Sequence, residues 1–351
     1  MINLKIAVIF GGTSTEHEVS ISSGTSVISN LDKNKYNIYP IYISKEGLFY
    51  KYTKNIKDIK ILNVGDKIEE IELIPNIIDY LKDIDVIFPV LHGKNGEDGS
   101  IQGLLEILNK KYVGCKVLSS SVCMDKIYTK ILCERADINT AKWLYIKKYN
   151  NQYIYIDNNF NEYILDNKDL ENMVEDYLKL PVFIKPSRQG SSVGVNKVKE
   201  KNGLINCLEE AFKYDSKILI EEAIVGREVE CAILGNDELI ASPVGEVLSA
   251  EEFYSFSSKY KNNNSKTIIP ANIDNELMNK IQIIAKKAYL ACDCSGLSRI
   301  DFFIENNTNK IILNEINTLP GFTEISMYPK LIESLGISYK ELLDKLIELA
   351  K

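Results

Sequence analysis

The sequence predicts an α/β protein in three units: an N-terminal parallel sheet flanked by helices, then two smaller α+β units. Three observations predict it. Continuous apolar runs at 4–10 (LKIAVIF) and 85–93 (DVIFPVLHG) read as strands buried on both faces, with helical stretches alternating between them. From about 118 the order becomes helix, strand, glycine-rich loop, strand. From 226 it becomes a β-meander, a long polar segment, an amphipathic helix, a hairpin and a closing helix.

In chain order, the strand at 4–10 is followed by the helix HEVSISSGTSVISNL, with Val19, Ile21, Val27 and Ile28 among its apolar positions. YNIYPIYISKEGLFY gives a second strand and a hairpin-like extension; 51–82 is Lys/Ile-rich and irregular, ending in a helix near 75–82. The strand 85–93 ends at His92-Gly93, and GEDGSIQGLLEILN opens the next helix. Ligands of open α/β sheets gather at the carboxyl ends of strands, where Gly11-Gly12 and His92-Gly93 both stand. SSSVCMDKIYTKILCERADI reads as one helix whose serine cluster supplies the N-cap. TAKWLYIKK is a strand, 149–170 a loop or hairpin, and LENMVEDYLKL a helix halted by Pro181. PVFIKPSRQGSSVGVNKV is strand, glycine loop, strand; NGLINCLEEAFKY is a helix and KILIEEAI a strand. REVECAILGNDELIASPVGEV is a meander turning at Gly235-Asn236-Asp237, and SAEEFYSFSSKYKNNNSKT is a long loop. NELMNKIQIIAKKAYLAC is an amphipathic helix, GLSRIDFFIENNTNKIILNEINTLPG a hairpin and SYKELLDKLIELAK the last helix.

Composition narrows the function. With 42 Lys+Arg against 49 Asp+Glu the net charge is -7, which argues against a nucleic-acid binder. No apolar run approaches the roughly 18 residues of a membrane span. The start, MINLKIAVIFGG, reads as a first strand rather than a signal peptide. Seven irregularly spaced cysteines without a C-x-x-C fit reduced thiols in a cytoplasm. Two histidines, His17 and His92, are too few for a His-rich metal site, and His17 is expected to be solvated.

Four constellations carry chemistry. Glu315 and Asn317 are two apart on a strand and so share a face. Asp301 lies on the neighbouring strand and faces Glu315 if the connecting loop has an odd number of residues. Two carboxylates and an amide suit a hard cation that bridges phosphates; the same pattern also reads as acids on an exposed sheet face. In FIKPSRQGSSVGV, Lys185 ends a strand just before a loop rich in N–H and hydroxyl donors, either a phosphate-binding arrangement or an exposed hairpin turn. In ILIEEAIVGREVE, Glu221, Glu222 and Glu228 sit at strand ends, able to accept from a purine amino group and a ribose, or simply to carry surface charge. In LHGKNGEDGSIQG, glycines permit close backbone approach before a helix N-terminus, and His92 is either near a ligand or structural.

The order of GGTSTEHEVS, LHGKNGEDGSIQG, MDK, KPSRQGSSVG, SRID and NEINTLPGF resembles the D-alanine–D-alanine ligases of the ATP-grasp superfamily, from about residue 4 to 350. The resemblance implies a three-domain ATP-grasp fold. Its parts are an N-terminal preATP-grasp, Rossmann-like parallel-sheet domain at 1–117, a central ATP-grasp subdomain at 118–222 and a C-terminal catalytic domain at 223–351, the last two clamping ATP. It implies that Lys126 and Lys185 touch ATP phosphates, that Glu221 takes the adenine amino group and Glu228 the ribose, and that Ser192, Glu222 and Ile224 also belong to the nucleotide site. Asp301, Glu315 and Asn317 would hold two Mg²⁺, with Mn²⁺ able to substitute, and Arg299 and the Gly321 N–H would stabilise an oxyanion. Glu16, Ser191 and Tyr260 match a hydrogen-bonded trio in which Glu16 pairs with the ammonium of the first D-alanine, while the loops 183–195 and 249–267 close over the site. His92, Lys259, Ser326 and Met327 would line the amino-acid sites.

Relatives that use D-serine or D-lactate as second substrate tend to carry an arginine where Met327 stands, and an apolar Met offers no partner for a hydroxyl. D-Alanine is therefore expected in both sites, with a D-serine or D-lactate ligase as the alternative. Glu324 stands where many relatives have a small polar residue. Another ATP-grasp ligase would lack GGTSTEHEVS and the Ser326-Met327 pair, a non-catalytic binder would show a damaged metal cluster, and a dehydrogenase would need a G-x-G-x-x-G that is absent. The resemblance further implies a cytoplasmic homodimer serving peptidoglycan precursor synthesis, with ATP and D-alanine as its small-molecule partners and neither nucleic acid nor membrane among them.

Overall fold

The computed structural model describes residues 3–248, 266–323 and 325–351. The first sheet runs β4 (Ile71–Leu73), β3 (Phe49–Tyr52), β2 (Tyr36–Ile43), β1 (Leu4–Gly11), β5 (Val86–Leu91), β6 (Lys111–Tyr112). Its central pairs β2·β1, β1·β5 and β5·β6 are parallel, and β3 and β4 add an antiparallel edge. Alternate β1 residues enter two cores. Ile6, Val8 and Phe10 pack with Ile21, Val27 and Ile28 of helix α1 (His17–Asn30), whereas Ala7 and Ile9 pack with Ile101 and Leu105 of α3 (Ser100–Ile107). Burial on both faces explains the unbroken apolar run. The expected helix near 75–82 is short, α2 (Ile77–Leu81), and the irregular stretch before it contributes β4.

The second sheet is antiparallel: β11 (Asn196–Val198), β10 (Val182–Pro186), β12 (Lys217–Glu222), β7 (Trp143–Tyr149), β8 (Gln152–Ile156), β9 (Glu162–Leu165). Helices α6 (Asn167–Met173) and α7 (Leu204–Phe212) cover one face through Leu170, Leu204 and Leu208. The single helix expected before this sheet is two, α4 (Val117–Met124) and α5 (Lys126–Arg135). Asp125 breaks them with an extended backbone and caps α5. The serines do not cap α4 either. They lie inside it, Lys116 holds the N-cap place, and its N–H donates to Ser119 Oγ at 3.1 Å.

The third sheet is β16 (Lys266–Ile268), β15 (Gly245–Leu248), β13 (Gly226–Leu234), β17 (Leu297–Glu305), β18 (Ile311–Asn317), with β14 (Ile240–Ala241) on β13. Helix α8 (Asn275–Ala291) packs on it through Ile281, Ala285 and Ala288. Most of the expected loop 249–267, with Lys259 and Tyr260, lies outside the described residues, as does Glu324; Lys266 and Thr267 belong to β16. In the last hairpin Ile304 faces Ile311 and Phe302 faces Leu313, a register that alone would set Asp301 opposite Asn314. The odd loop that the sequence reading required is thus replaced by a β-bulge between Asp301 and Phe302, which brings Glu315 opposite Asp301 and Asn317 opposite Arg299.

Two helices follow: α9 (Met327–Glu333), unforeseen because it is short and carries Pro329 in its first turn, and α10 (Tyr339–Leu349). The first packs on β13 of the third sheet and the second against α1, in one core that also takes in Val8 and Phe88 of the first sheet. Phe322 joins them, its ring 6.0 Å from Phe88, 5.6 Å from Tyr328 and 6.2 Å from Tyr339. All seven cysteines are free thiols. Among the described residues no helix is long and apolar enough to cross a membrane. Phe322→Ala removes the shared ring and should lower stability to urea by about 3–5 kcal/mol; a loss under about 1 kcal/mol would contradict its place in this core.

Candidate active site

Gly11 ends β1 with φ +93°, and a Cβ there would lie 2.2 Å from the Ile43 carbonyl oxygen, so the tight turn needs glycine. Ser14 Oγ then donates to the His92 carbonyl at 2.6 Å and accepts from the Glu16 N–H at 3.1 Å, which pins the turn to the end of β5. Glu16, just before α1, is thereby buried at a cavity wall. Ser191 Oγ, from the loop after β10, donates to Glu16 Oε1. Gly93 comes so near that a Cβ would lie 2.5 Å from Glu16 Oε2. His17 is not solvated but buried: its Nδ1 donates to the Gly12 carbonyl at 2.5 Å and its Nε2 accepts from Tyr42 OH at 3.2 Å.

His92 is also buried. A carbonyl only accepts, so Nδ1 carries the proton and donates to the Leu319 carbonyl at 3.1 Å, leaving Nε2 to accept from Ser23 Oγ at 3.1 Å. Ser23 Oγ accepts from the Phe322 N–H at 3.3 Å, and Tyr339 OH donates to the Phe322 carbonyl at 2.6 Å. These bonds fix the 319–322 turn, and with it Gly321, against α1. Burial holds the imidazole pKa down to about 4.

On the third sheet, Arg299 Nε and Nη2 donate to Asp301 at 2.8 and 2.7 Å, Nε lies 2.8 Å from Glu230, and Asn317 Nδ2 donates to Asp301 at 3.0 Å. Burial works against the Arg299 charge, but Asp301 and Glu230 outweigh it and push the guanidinium well up. Glu16, Glu97, Arg299, Asp301, Glu315, Asn317, Gly321, Ser326 and Met327 line one cavity of about 160 Å³. Ser326 Oγ accepts from the Thr323 N–H at 3.0 Å, and Met327 is buried at the start of α9.

A second cleft, of about 500 Å³, lies between the second and third sheets and is lined by Lys126, Lys185, Ser192, Glu221, Glu222, Ile224 and Glu228. Ser191, Glu228 and Glu315 line both spaces, so the two adjoin. Lys126 Nζ donates to the Gln189 carbonyl at 2.7 Å, and Glu222 accepts from the Lys142 N–H at 2.8 Å. Lys185 pairs with Glu221 Oε1 and Lys130 with Oε2, the latter at 3.0 Å. Burial alone would raise the Glu221 carboxyl, but the two lysines override it and hold it down to about 2.

The sequence matches the family description "D-ala D-ala ligase N-terminus" over residues 5–115 and "D-ala D-ala ligase C-terminus" over 132–348. The chain belongs to the D-alanine–D-alanine ligase family. A D-alanine–D-alanine ligase of Clostridium acetobutylicum is 47% identical, covering 99% of this chain and 97% of that one. One from Caldicellulosiruptor bescii is 46% identical over 100% and 96%. Among solved structures, a D-Ala:D-Ser ligase from Enterococcus faecalis superposes with a TM-score of 0.85 at 39% identity, covering all of both chains. The Bacillus anthracis D-alanine–D-alanine ligase complexed with ATP gives 0.75 at 32%, over 99% and 97%. The fold is accordingly the ATP-grasp arrangement of this family.

All site residues read from the sequence fall on these two spaces except Lys259 and Tyr260, which lie outside the described residues. Three further residues were missed. Glu230 faces Asp301 across β13 and β17, and its signal was the alternation Glu228-x-Glu230. Glu97 stands inside the quoted LHGKNGEDG stretch; its Oε2 accepts from the Gly93 N–H at 2.8 Å, and burial, then Glu16, push its carboxyl up to about 8. Lys130, one turn after Lys126, had no signal beyond that spacing.

His92 should titrate near pH 4 by NMR rather than near the ordinary 6.5. Its folded pKa is depressed, so the unfolded chain binds the proton first and stability drains away as pH falls from about 6.5 toward 4. Urea unfolding at about pH 7.5 and about pH 4.5 should show a smaller acid loss for His92→Gln than for the parent chain. A titration midpoint near 6.5 would contradict the buried, neutral ring.

Proposed function

We propose that this chain joins two D-alanine molecules into D-alanyl-D-alanine at the expense of ATP, for peptidoglycan precursor synthesis. The single observation that carries the reading is the pair of adjoining spaces: an acid-walled cavity sized for small amino acids opens, at Glu228 and Glu315, onto a lysine-bearing cleft sized for a nucleotide.

A carboxylate is a poor electrophile. One oxygen of the first D-alanine carboxylate attacks the γ-phosphorus of ATP, the β–γ bridging bond breaks, ADP leaves and a D-alanyl phosphate results. The amine of the second D-alanine, having lost a proton, attacks the acyl carbon; phosphate then leaves from the tetrahedral intermediate and the peptide bond remains. In this reading Glu16 holds the first ammonium, and Ser191 ties the glycine loop over it with Tyr260 as the third member. Lys126 and Lys185 offset phosphate charge, Glu221 accepts from the adenine amino group, Glu228 from the ribose, and Ser192, Glu222 and Ile224 line the nucleotide. Arg299 and the Gly321 N–H face the oxyanion, and His92 positions Gly321 through the 319–322 turn. Exclusion of water by the loops 183–195 and 249–267 protects the acyl phosphate from hydrolysis.

Two carboxylates, Asp301 and Glu315, with the Asn317 amide on one strand face supply the hard oxygen donors that magnesium takes. When bound, Mg²⁺ (or Mn²⁺) neutralises charge on the transferring phosphoryl group. The buried Met327 thioether near the second amino acid, with Ser326 engaged by Thr323, supports a methyl side chain over a hydroxyl; Lys259 is assigned to the same subsite. The division 1–117, 118–222 and 223–351, a homodimer and a cytoplasmic location complete the proposal.

With ATP, Mg²⁺ and D-alanine alone, phosphate release should proceed, and D-serine or D-lactate added as second substrate should compete poorly. No release with D-alanine alone, or release that requires D-serine, would defeat the reading. Glu16→Gln should raise the KM for the first D-alanine by about 10- to 100-fold while ATP affinity by titration calorimetry is retained; lost ATP affinity would sink the assignment of Glu16.

A further inference from the structure

Lys130 is a buried cation that the reaction scheme leaves without a task. It sits on α5 four residues after Lys126, yet the two side chains go to different places. Lys126 lines the nucleotide cleft, while Lys130 is 2% exposed and lies behind its wall. Its ammonium is 3.0 Å from Glu221 Oε2 and 3.4 Å from the Ala141 carbonyl, and both Glu221 and Ala141 line the cleft. Glu221 itself is 5% exposed at the end of β12 and is shared with Lys185 on its other oxygen.

The sharing cannot persist once a nucleotide is bound in the way proposed above. Lys185 is then needed at the phosphates, and the oxygen it held becomes the one that faces the base. A buried carboxylate stripped of every cation takes up a proton. A carboxylic acid in that place presents a hydroxyl where the purine already presents an amino donor, and the match is lost. Lys130 prevents this because it keeps its hold on the other oxygen: among the described residues its partners are Glu221 and the Ala141 carbonyl.

We propose that Lys130 is a positioning residue for nucleotide choice: it holds Glu221 as an acceptor turned toward the 6-amino group of adenine while Lys185 serves the phosphates. The inference rests on the assignment of Glu221 to the adenine amino group. Lys130 touches neither substrate; it acts through Glu221. Its effect therefore depends on whether the base carries an amino group, which a general structural role would not.

Steady-state kinetics at saturating D-alanine and Mg²⁺ test this with ATP and with purine riboside triphosphate, which lacks the amino group. Lys130→Met should lower kcat/KM for ATP by about tenfold or more, through KM rather than kcat. With purine riboside triphosphate the change should stay within about threefold. Lys130→Arg, which keeps the charge, should retain most of the preference for ATP. Equal losses with both nucleotides, or no loss with either, would overturn the proposal. Glu221→Gln separates the two layers. If it leaves the preference for ATP intact, the adenine assignment of Glu221 is wrong. If it abolishes the preference while Lys130→Met does not, the inference about Lys130 alone fails. Should Lys130→Met not fold, the double variant Lys130→Met/Glu221→Gln buries no unpaired carboxylate, and it should match Glu221→Gln with both nucleotides. An additional loss confined to ATP in the double variant would contradict the proposal.

Discussion

Asp301 and Glu315 face one another because the hairpin that carries them slips by one residue at Asn314. Side chains on a strand alternate, so without that bulge Glu315 and Asn317 would point away from Asp301. The rest of the site follows from this register. Asn317 comes opposite Arg299, and Arg299 bridges Asp301 and Glu230, whose charges outweigh the cost of burying the guanidinium. The bulge is braced from outside: the Leu313 N–H donates to the Asn139 carbonyl at 2.8 Å, so the segment after α5 holds the distorted strand edge.

The first sheet contributes position more than chemistry. Its two glycine turns bring Glu16 and His92 to the carboxyl ends of the neighbouring strands β1 and β5, between which the strand order reverses. From there a single imidazole reaches the third unit, because His92 donates to Leu319 while Ser23 steadies both His92 and Phe322. Glu16 reaches the second unit through Ser191. Beside the core that the first and third sheets share, residues of all three sheets are thus tied near the site by hydrogen bonds from Ser23, His92 and Ser191, which is the support a reacting geometry needs.

Much of this was legible in the sequence. Buried parallel strands announce themselves by continuous apolar runs, and the glycine turns and acids at strand ends could be placed by spacing alone. The metal-fitting face was read from the two-residue interval Glu315-x-Asn317, although for the wrong reason: the required parity came from a bulge, which leaves no mark in an apolar strand. Other misses share a cause. The break at Asp125 and the cap at Lys116 depend on which backbone groups tertiary packing leaves unpaired, not on local propensity. His17 looked solvated because one imidazole in a polar stretch carries no periodic signal, and only the fold brings Tyr42 over it. Glu230 and Lys130 escaped because a buried charge is recognised by its partner, and Arg299 and Glu221 are distant in sequence; Glu97 escaped because only the fold buries it beside Glu16.

The central claim is that a carboxylate oxygen of D-alanine is phosphorylated before the peptide bond forms. D-Alanine labelled with ¹⁸O in its carboxylate, turned over with unlabelled ATP and Mg²⁺, tests it directly. Mass spectrometry of the released phosphate should show one ¹⁸O per molecule, carried from the acyl phosphate when the second amine displaces it. Unlabelled phosphate accompanying formation of the dipeptide would contradict the account.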